Sequence, residues 1–332
     1  MFKKLCAVLT LGLGLTTGAL AQDINFGMIS TEATQNLKAD WQPLLDDMAK
    51  QTGLKINAFF ASDYAGLIEA MRFNKMQVAW LGNKSAMEAV DRANGEVFAQ
   101  MVNADGTQGY YSHLIVHKDS PLASLDDVLK NGKALSFGNG DPNSTSGFLV
   151  PGYYAFAQNK IDAKTHFKIT RSANHETNAL AVANKQVDVA TNNSENLEKI
   201  KERQPEKFKD IKIVWTSPLI PLDPLVMRKD LPEATKTKIR NFFYNYAKTD
   251  AREKEIVMKI SKLSGFKPST NAQLTPIRQL DLFGKRNKIE ADATLADADK
   301  KTPPGRDRPA AGVAQVIRRL VVLARVSPCP QH

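Results

Sequence analysis

The sequence predicts an α/β protein made of two units in which strands and helices alternate. Strand-like and helix-like patterns alternate over residues 24–93, and the alternation starts again near residue 134. After an apolar leader about three hundred residues remain, which is enough for two hydrophobic cores. Because alternating strands and helices pack in layers, we expect mostly parallel sheets with helices on both faces.

The first unit opens with a buried strand at INFGMIS, residues 24–30. A helix is expected over residues 35–51, because Leu37, Trp41 and Leu44 recur at helical spacing. Trp80, in the third strand, is expected to belong to the core. The same reasoning predicts, in order, a strand at KINAFFAS, a helix at DYAGLIEAMRFNKM, a strand at QVAWLG and a helix at KSAMEAVDRA.

The second unit begins with a strand at ALSFGNG, after which a hydroxyl-rich turn opens a helix. Further strands are expected at FKITRSA, QVDVATNN and IKIVWTSP. Ligands of open α/β sheets bind outside the carboxyl ends of the strands, so the polar loops there are expected to face one cleft. These loops contain Asp63 and Tyr64, residues 139–146, Asn174 and His175, residues 192–195, and Asp223.

The stretch DPNSTSGFLVPGYY, residues 141–154, concentrates three hydroxyl side chains at a helix start. Pro142 and Asn143 favour a turn, and Ser144 can cap the helix that follows. The N–H groups of a first helical turn have no partner inside the helix, and the helix dipole there favours negative charge. These residues alone fit either an oxyanion site or a plain helix cap with surplus hydroxyls.

The leader, residues 1–21, has the pattern of a secretory signal peptide. Lys3 and Lys4 precede an apolar run that is too short to span a bilayer, and small residues predict cleavage after Ala21. The mature protein is therefore expected outside the cytoplasm. Cleavage removes Cys6 and leaves Cys329 as the one thiol, so no intramolecular disulfide is expected.

The net charge of +10 is concentrated at the two ends of the chain. Residues 300–332 carry seven cations against Asp307 alone, a net of +6, and the leader adds +2, which leaves +2 for the body. A nearly neutral body without a basic stripe is a poor footprint for DNA or RNA. We therefore expect no nucleic-acid partner.

The tail changes character abruptly after about Ala298. An amphipathic, helix-like stretch gives way to paired prolines, clustered arginines and an apolar patch. One hypothesis is that a shift of reading frame replaced the original C-terminal helix over residues 299–332. The alternative is a genuine disordered or membrane-surface tail. Resequencing the gene distinguishes them.

Five long blocks of the sequence carry a family resemblance: FGMISTE, ASDYAGLIEAMRFNKMQVAWLGNKSAMEAVDRANG, GNGDPNSTSGFLVPGYY, NHETNALAVANKQVDVATNN and SPLIPLDPLVMRKDL. Together they resemble the periplasmic phosphonate-binding proteins of ABC transporters. The resemblance covers residues 24–289 and implies a type II periplasmic binding fold, with two α/β lobes joined by a two-strand hinge around a ligand cleft. Lobe 1 would comprise 22–115 with 225–298, and lobe 2 would comprise 116–224.

The resemblance also implies a phosphonate site with hydroxyl and aromatic donors around the anionic group. Glu195 and Asp223 match the two carboxylates that hold the ammonium end of aminoalkylphosphonates in this family. Such acids would also repel inorganic phosphate, whose charge is negative throughout. The implied ligand-binding residues are Tyr64, Tyr110, Ser144, Thr145, Ser146, His175, Glu195 and Asp223.

By this resemblance the chain is expected to capture phosphonates in the periplasm, 2-aminoethylphosphonate among them, and to deliver them to an ABC importer. The expected partners are the small ligand and an inner-membrane permease, which would recognise the form in which the lobes have closed around the ligand. No cofactor and no metal are expected, because the five histidines are scattered through the chain.

Three other functions fit parts of the sequence. The ligand could be phosphate, phosphite or a sulfonate, or the protein could be a ligand sensor that docks on a receptor. A periplasmic hydrolase could use Ser144, His175 and Asp223 as a triad, but the sequence NSTSG lacks the Gly-x-Ser-x-Gly elbow. Structural roles also fit single residues, since acids cap helices, histidine occupies cores and tyrosines pack with a paired hydroxyl.

Overall fold

The structure, a computed structural model, describes residues 23–291, with side chains up to residue 286. The predicted leader at 1–21, the tail at 299–332 and Cys329 lie outside the described residues. The described chain up to Gly284 forms one compact unit, and a second unit begins at Lys285, within the last described helix.

Strands and helices alternate over residues 23–92 and again over residues 136–216, as the sequence predicts, whereas residues 95–117 and 211–228 form consecutive strands. The strands are β1 (Asp23–Met28), β2 (Lys55–Phe60), β3 (Val78–Trp80), β4 (Gly95–Asn103), β5 (Gly109–Tyr110), β6 (Ser112–His117), β7 (Ser136–Asn139), β8 (Ile169–Ser172), β9 (Val189–Asn193), β10 (Ile211–Thr216), β11 (Ile220–Pro221), β12 (Pro224–Arg228) and β13 (Leu263–Pro268). The helices are α1 (Thr34–Thr52), α2 (Tyr64–Arg72), α3 (Asn83–Arg92), α4 (Leu125–Asn131), α5 (Ala163–His166), α6 (His175–Ala183), α7 (Ser194–Arg203), α8 (Pro205–Phe208), α9 (Glu233–Asn245), α10 (Ala251–Ser261) and α11 (Thr275–Ala291).

Two large sheets and one short ribbon organise these strands. The first sheet has the order β13-β4-β12-β3-β1-β2, and the second has the order β10-β6-β9-β7-β8. The antiparallel ribbon pairs β5 with β11, on the two segments that pass between the large sheets. This arrangement is the expected fold of two α/β lobes joined by a two-strand hinge.

The expectation of mostly parallel sheets is wrong, because both large sheets are mixed. β1 pairs in parallel with β2 and β3, and β7 pairs in parallel with β8 and β9. The other pairs are antiparallel. The chain leaves the first sheet after β4 and re-enters it on β12, which therefore runs antiparallel beside β4. In the same way, β6 enters the second sheet, and β10, by which the chain leaves it, lies antiparallel beside β6.

Each lobe has its own hydrophobic core. In the first lobe Trp41 of α1 lies between Phe26 and Trp80, with ring centroids 5.6 and 5.2 Å away. In the second lobe Phe137 of β7 stacks on Phe167, with centroids 4.4 Å apart. These cores fix the strands whose ends carry the polar loops. Within residues 23–291 no helix has the length and apolar character needed to cross a membrane.

Local signals set where the site helices begin. Asp63 caps α2 by accepting a hydrogen bond from the Gly66 N–H at 2.8 Å, so the helix starts at Tyr64. Ser144 caps the next site segment through the Gly147 N–H at 2.9 Å, as its sequence context predicts. That segment is π-helical over Thr145–Leu149 and again over Gly152–Phe156. Short π-helical segments are rare and are often found at functional sites.

Candidate ligand-binding site

A narrow cavity lies between the two lobes and brings together all eight residues implied by the resemblance. The cavity has a volume of about 30 Å³, which restricts its occupant to a small molecule. The lining residues used below are Tyr64, Trp80, Tyr110, Ser144, Thr145, Ser146, His175, Asn193, Glu195, Lys199 and Asp223.

The three hydroxyl side chains after the Asp141 turn form one group, which we call the hydroxyl cluster (Ser144, Thr145, Ser146). Each hydroxyl oxygen accepts a hydrogen bond from a protein N–H. Ser144 accepts from the backbone of Gly147 at 2.9 Å, Thr145 from the backbone of Lys84 at 2.8 Å, and Ser146 from the Asn193 amide at 3.0 Å. Because a hydroxyl can accept one hydrogen bond and still donate its own proton, each of the three can donate to an anion in the cavity.

The imidazole of His175 lies behind the hydroxyl cluster at the start of α6. Its Nε2 is 3.5 Å from Ser144 Oγ and 3.3 Å from Asn193 Nδ2, and its buried Nδ1 has no hydrogen-bond partner in the described chain. Burial lowers the pKa of His175 to about 4, so the ring is neutral at neutral pH. A neutral imidazole offers one donor and one acceptor, and it adds no full positive charge to the site.

Two buried tyrosines complete the wall of donors. Burial raises the pKa of Tyr64, as do the nearby carboxylates of Asp141 and Asp223. Burial also raises the pKa of Tyr110, with Asp223 and Glu195 adding to the effect. Both phenols therefore keep their protons at neutral pH, as hydrogen-bond donation requires.

Two carboxylates, which we call the acid pair (Glu195, Asp223), also line the cavity. Asp223 accepts hydrogen bonds from Trp80 Nε1 at 3.1 Å and from the Tyr110 hydroxyl at 3.2 Å. Burial nevertheless raises the pKa of Asp223 well above its usual range, and the neighbouring Glu195 raises it further. Asp223 is thus held in place by two donors without a compensating positive charge.

Glu195 is the less satisfied member of the acid pair. In the part of the chain that the structure describes, its carboxylate forms no hydrogen bond and no ion pair within 4 Å. Burial raises its pKa to about 7, and the positive charge of Lys199 opposes this shift. A partly buried carboxylate without a partner favours any cation that can reach it.

The hydrolase triad considered from the sequence does not assemble. Ser144 Oγ and His175 Nε2 are 3.5 Å apart, at the outer limit for a hydrogen bond. Asp223, which would have to orient the imidazole, accepts instead from Trp80 and Tyr110. Without an acid to orient and stabilise it, His175 is a poor general base, which its lowered pKa also indicates.

Three further residues of the cavity wall matter below and were not among those predicted to bind the ligand. Asn193 caps α7 with its side-chain oxygen and donates to Ser146 with its nitrogen. Trp80 belongs to the core, as expected, but its indole N–H also faces the cavity side and binds Asp223. Lys199 lies one helical turn after Glu195. The sequence places Asn193 at a strand end, a weak signal, and gives none for the other two.

Among the described residues, no cluster of three or more His, Cys, Asp or Glu side chains could hold a metal ion. The hydroxyls, phenols and neutral imidazole are suited to an anionic group, and the acid pair is suited to a cationic one. The cavity can therefore accommodate a small ligand that carries both charges.

Comparison with known proteins identifies the family. Residues 26–274 match the family described as ABC transporter, phosphonate, periplasmic substrate-binding protein. The chain is 60% identical over 277 residues to the phosphonates-binding periplasmic protein of Escherichia coli (strain K12), which covers 83% of this chain and 81% of that protein. It is 27% identical over 250 residues to a phosphate-import protein of Mycolicibacterium smegmatis, covering 72% of this chain and 77% of that one.

A solved structure agrees with this assignment. The binding-protein component of an ABC phosphonate transporter from Pseudomonas aeruginosa is 52% identical and superposes with a TM-score of 0.83, covering 91% of this chain and 97% of that one. Proteins of this kind bind a substrate for a transporter and are not enzymes. The chain therefore belongs to the periplasmic phosphonate-binding proteins of ABC transporters.

Proposed function

We propose that this protein captures phosphonates that carry an ammonium group, with 2-aminoethylphosphonate as the preferred type, and delivers them to an inner-membrane permease. The observation that carries the proposal is the presence of the hydroxyl cluster and the acid pair in one small cavity. The phosphonate would accept hydrogen bonds from the three hydroxyls, the Tyr64 phenol and the imidazole, while Tyr110, whose one proton goes to Asp223, would line the site. The ammonium would lie beside Glu195 and Asp223.

The neutral donors suit a ligand that must later be released. A phosphonate has three strong acceptor oxygens, and charge-assisted hydrogen bonds from neutral donors bind it directionally. Arg72, on α2, is not a lining residue of the cavity. Its side chain is 54% exposed and pairs with Glu69. Binding by many weak donors rather than by paired arginines lets the lobes reopen for transfer.

The acid pair supplies selectivity against inorganic phosphate. Two carboxylates beside an all-negative ligand raise its free energy in the site, whereas an ammonium group turns the same charges into attraction. Binding of phosphate is the second candidate function, and the 27% identical relative named for phosphate import is the observation in its favour. The two candidates differ in what the acid pair does to affinity.

Calorimetric titration separates the candidates. The ligands are 2-aminoethylphosphonate, methylphosphonate, phosphate and 2-aminoethanesulfonate, each with the wild-type chain and with Glu195→Gln. We expect 2-aminoethylphosphonate to bind most tightly, and the substitution to weaken it by about 1–3 kcal/mol through loss of a charge-assisted bond. Methylphosphonate should change little. Equal losses for both phosphonates, or tighter binding of phosphate, contradict the proposal.

A further inference from the structure

A network of four charged residues joins the two lobes beside the cavity, and we call it the cross-lobe network (Glu32, Asp40, Lys199, Arg203). Glu32 and Asp40 belong to the first lobe, after β1 and on α1, whereas Lys199 and Arg203 lie on α7 of the second lobe. Asp40 is 3.2 Å from Lys199 Nζ and 2.5 Å from Arg203 Nη2, and Glu32 pairs with both cations. The Glu32 side chain is only 2% exposed.

Other contacts show that the lobes are apposed along the same side of the cleft. The backbone N–H of Glu176 donates to the Thr31 carbonyl at 3.2 Å, and the Glu176 carboxylate accepts from the Ala33 N–H at 2.7 Å. The cross-lobe network therefore exists only while the lobes are together. If the lobes separate, Lys199 and Arg203 lose both carboxylate partners.

Lys199 has a second possible partner on its own helix. Glu195 precedes it by four residues, and a Glu four residues before a Lys is the favoured order for an ion pair on a helix. In this structure the pair does not form, since Lys199 is directed to Glu32 and Asp40. Lys199 nevertheless lines the cavity with Glu195, so a change of partner needs only a change of side-chain rotamer.

We propose that Lys199 exchanges partners when the lobes close and that the cross-lobe network thereby frees Glu195 for the ligand, which rests on the proposed function of Glu195 as the ammonium site. With the lobes apart, Lys199 pairs with Glu195 and satisfies it. On closure Lys199 pairs with Glu32 and Asp40 instead, and Glu195 is left for the ammonium of the ligand. A ligand without an ammonium group closes the lobes over an unpaired, partly buried carboxylate, which disfavours that closed state.

Arg203 provides a matched control within the same network. It carries the same charge and contacts the same two acids, but it does not line the cavity and lies two turns from Glu195. Loss of Arg203 should weaken closure for every ligand alike. Loss of the carboxylates of Glu32 and Asp40 should instead let Lys199 form an ion pair with Glu195 in the closed state.

The test compares affinities for 2-aminoethylphosphonate and methylphosphonate by calorimetry. In Glu32→Gln/Asp40→Asn we expect the preference for the amino ligand to fall about five- to tenfold, because Lys199 now competes for Glu195. Adding Lys199→Met to this double variant should restore the preference. Adding Arg203→Gln should not, although it removes the same charge.

Each outcome decides one question. An unchanged preference in the double variant, or equal rescue by Lys199→Met and Arg203→Gln, overturns the partner exchange while leaving the proposed function intact. A wild-type chain that does not prefer the amino ligand contradicts the proposed function, and the exchange with it. Should the double variant not fold, Lys199→Met alone must keep or increase the preference, and its loss overturns the inference.

Discussion

The hydroxyl cluster and the acid pair line the same cavity but are held in different ways. Each hydroxyl oxygen already accepts an N–H hydrogen bond, so the cluster is stable and oriented before any anion arrives. The acid pair instead has raised pKa values because burial and mutual repulsion disfavour its charges. On the proposed function, one region would supply affinity for all phosphonates and the other would supply selection among them.

Removal of two hydroxyls should have the largest effect. In Ser144→Ala/Ser146→Ala two charge-assisted hydrogen bonds to the phosphonate are lost, each worth about 1.5–3 kcal/mol. We expect 2-aminoethylphosphonate and methylphosphonate to lose similar amounts of binding free energy, measured by calorimetry. A loss confined to one ligand would show that the cluster does not hold the group that the two ligands share.

Asp223→Asn should have a smaller and selective effect. The substitution keeps the shape of the side chain and one of the two oxygens that accept from Trp80 and Tyr110, and it removes the negative charge. We expect a loss of about 2 kcal/mol for 2-aminoethylphosphonate and much less for methylphosphonate, because one charge-assisted bond is lost. Thermal unfolding of the variant controls for disruption of its two donors, and a loss shared by both ligands would assign Asp223 a structural role.

The pH dependence of binding should differ between the same two ligands. Burial raises the pKa of Glu195 to about 7, so below that pH the carboxyl must lose a proton before it can bind an ammonium. Affinity for 2-aminoethylphosphonate should therefore fall as the pH falls through 7, by up to about tenfold per pH unit. Methylphosphonate corrects for titration of the phosphonate itself. Parallel curves, or a difference that survives in Glu195→Gln, would exclude this carboxyl.

The sequence predicted the fold class and the order of elements well, because local signals decide both. Helical spacing places α1 within one residue at each end, and Asp63 and Ser144 cap the site segments through contacts three residues away. Sheet direction was not predictable in this way. β12 and β10 run antiparallel because of where the chain crosses between lobes, a non-local property that alternation does not contain.

The wall of the cavity was predicted where polar residues follow strand ends and missed where distant segments meet. Trp80 reads as a core residue, and only the fold brings its indole N–H to Asp223, 143 positions away. In the sequence Lys199 has the pattern of a residue on a charged helix surface. Its partners Glu32 and Asp40 come from the other lobe, so only the fold brings the three together. Pairings of this kind follow from tertiary packing, so no spacing in the sequence indicates them.

The most direct test of the account is a crystal structure of the protein with 2-aminoethylphosphonate bound. We expect the phosphonate oxygens within hydrogen-bond distance of Ser144, Thr145 and Ser146, and the ammonium nitrogen beside Glu195 and Asp223. A ligand bound in the opposite orientation, or with its phosphonate away from the hydroxyl cluster, would contradict it.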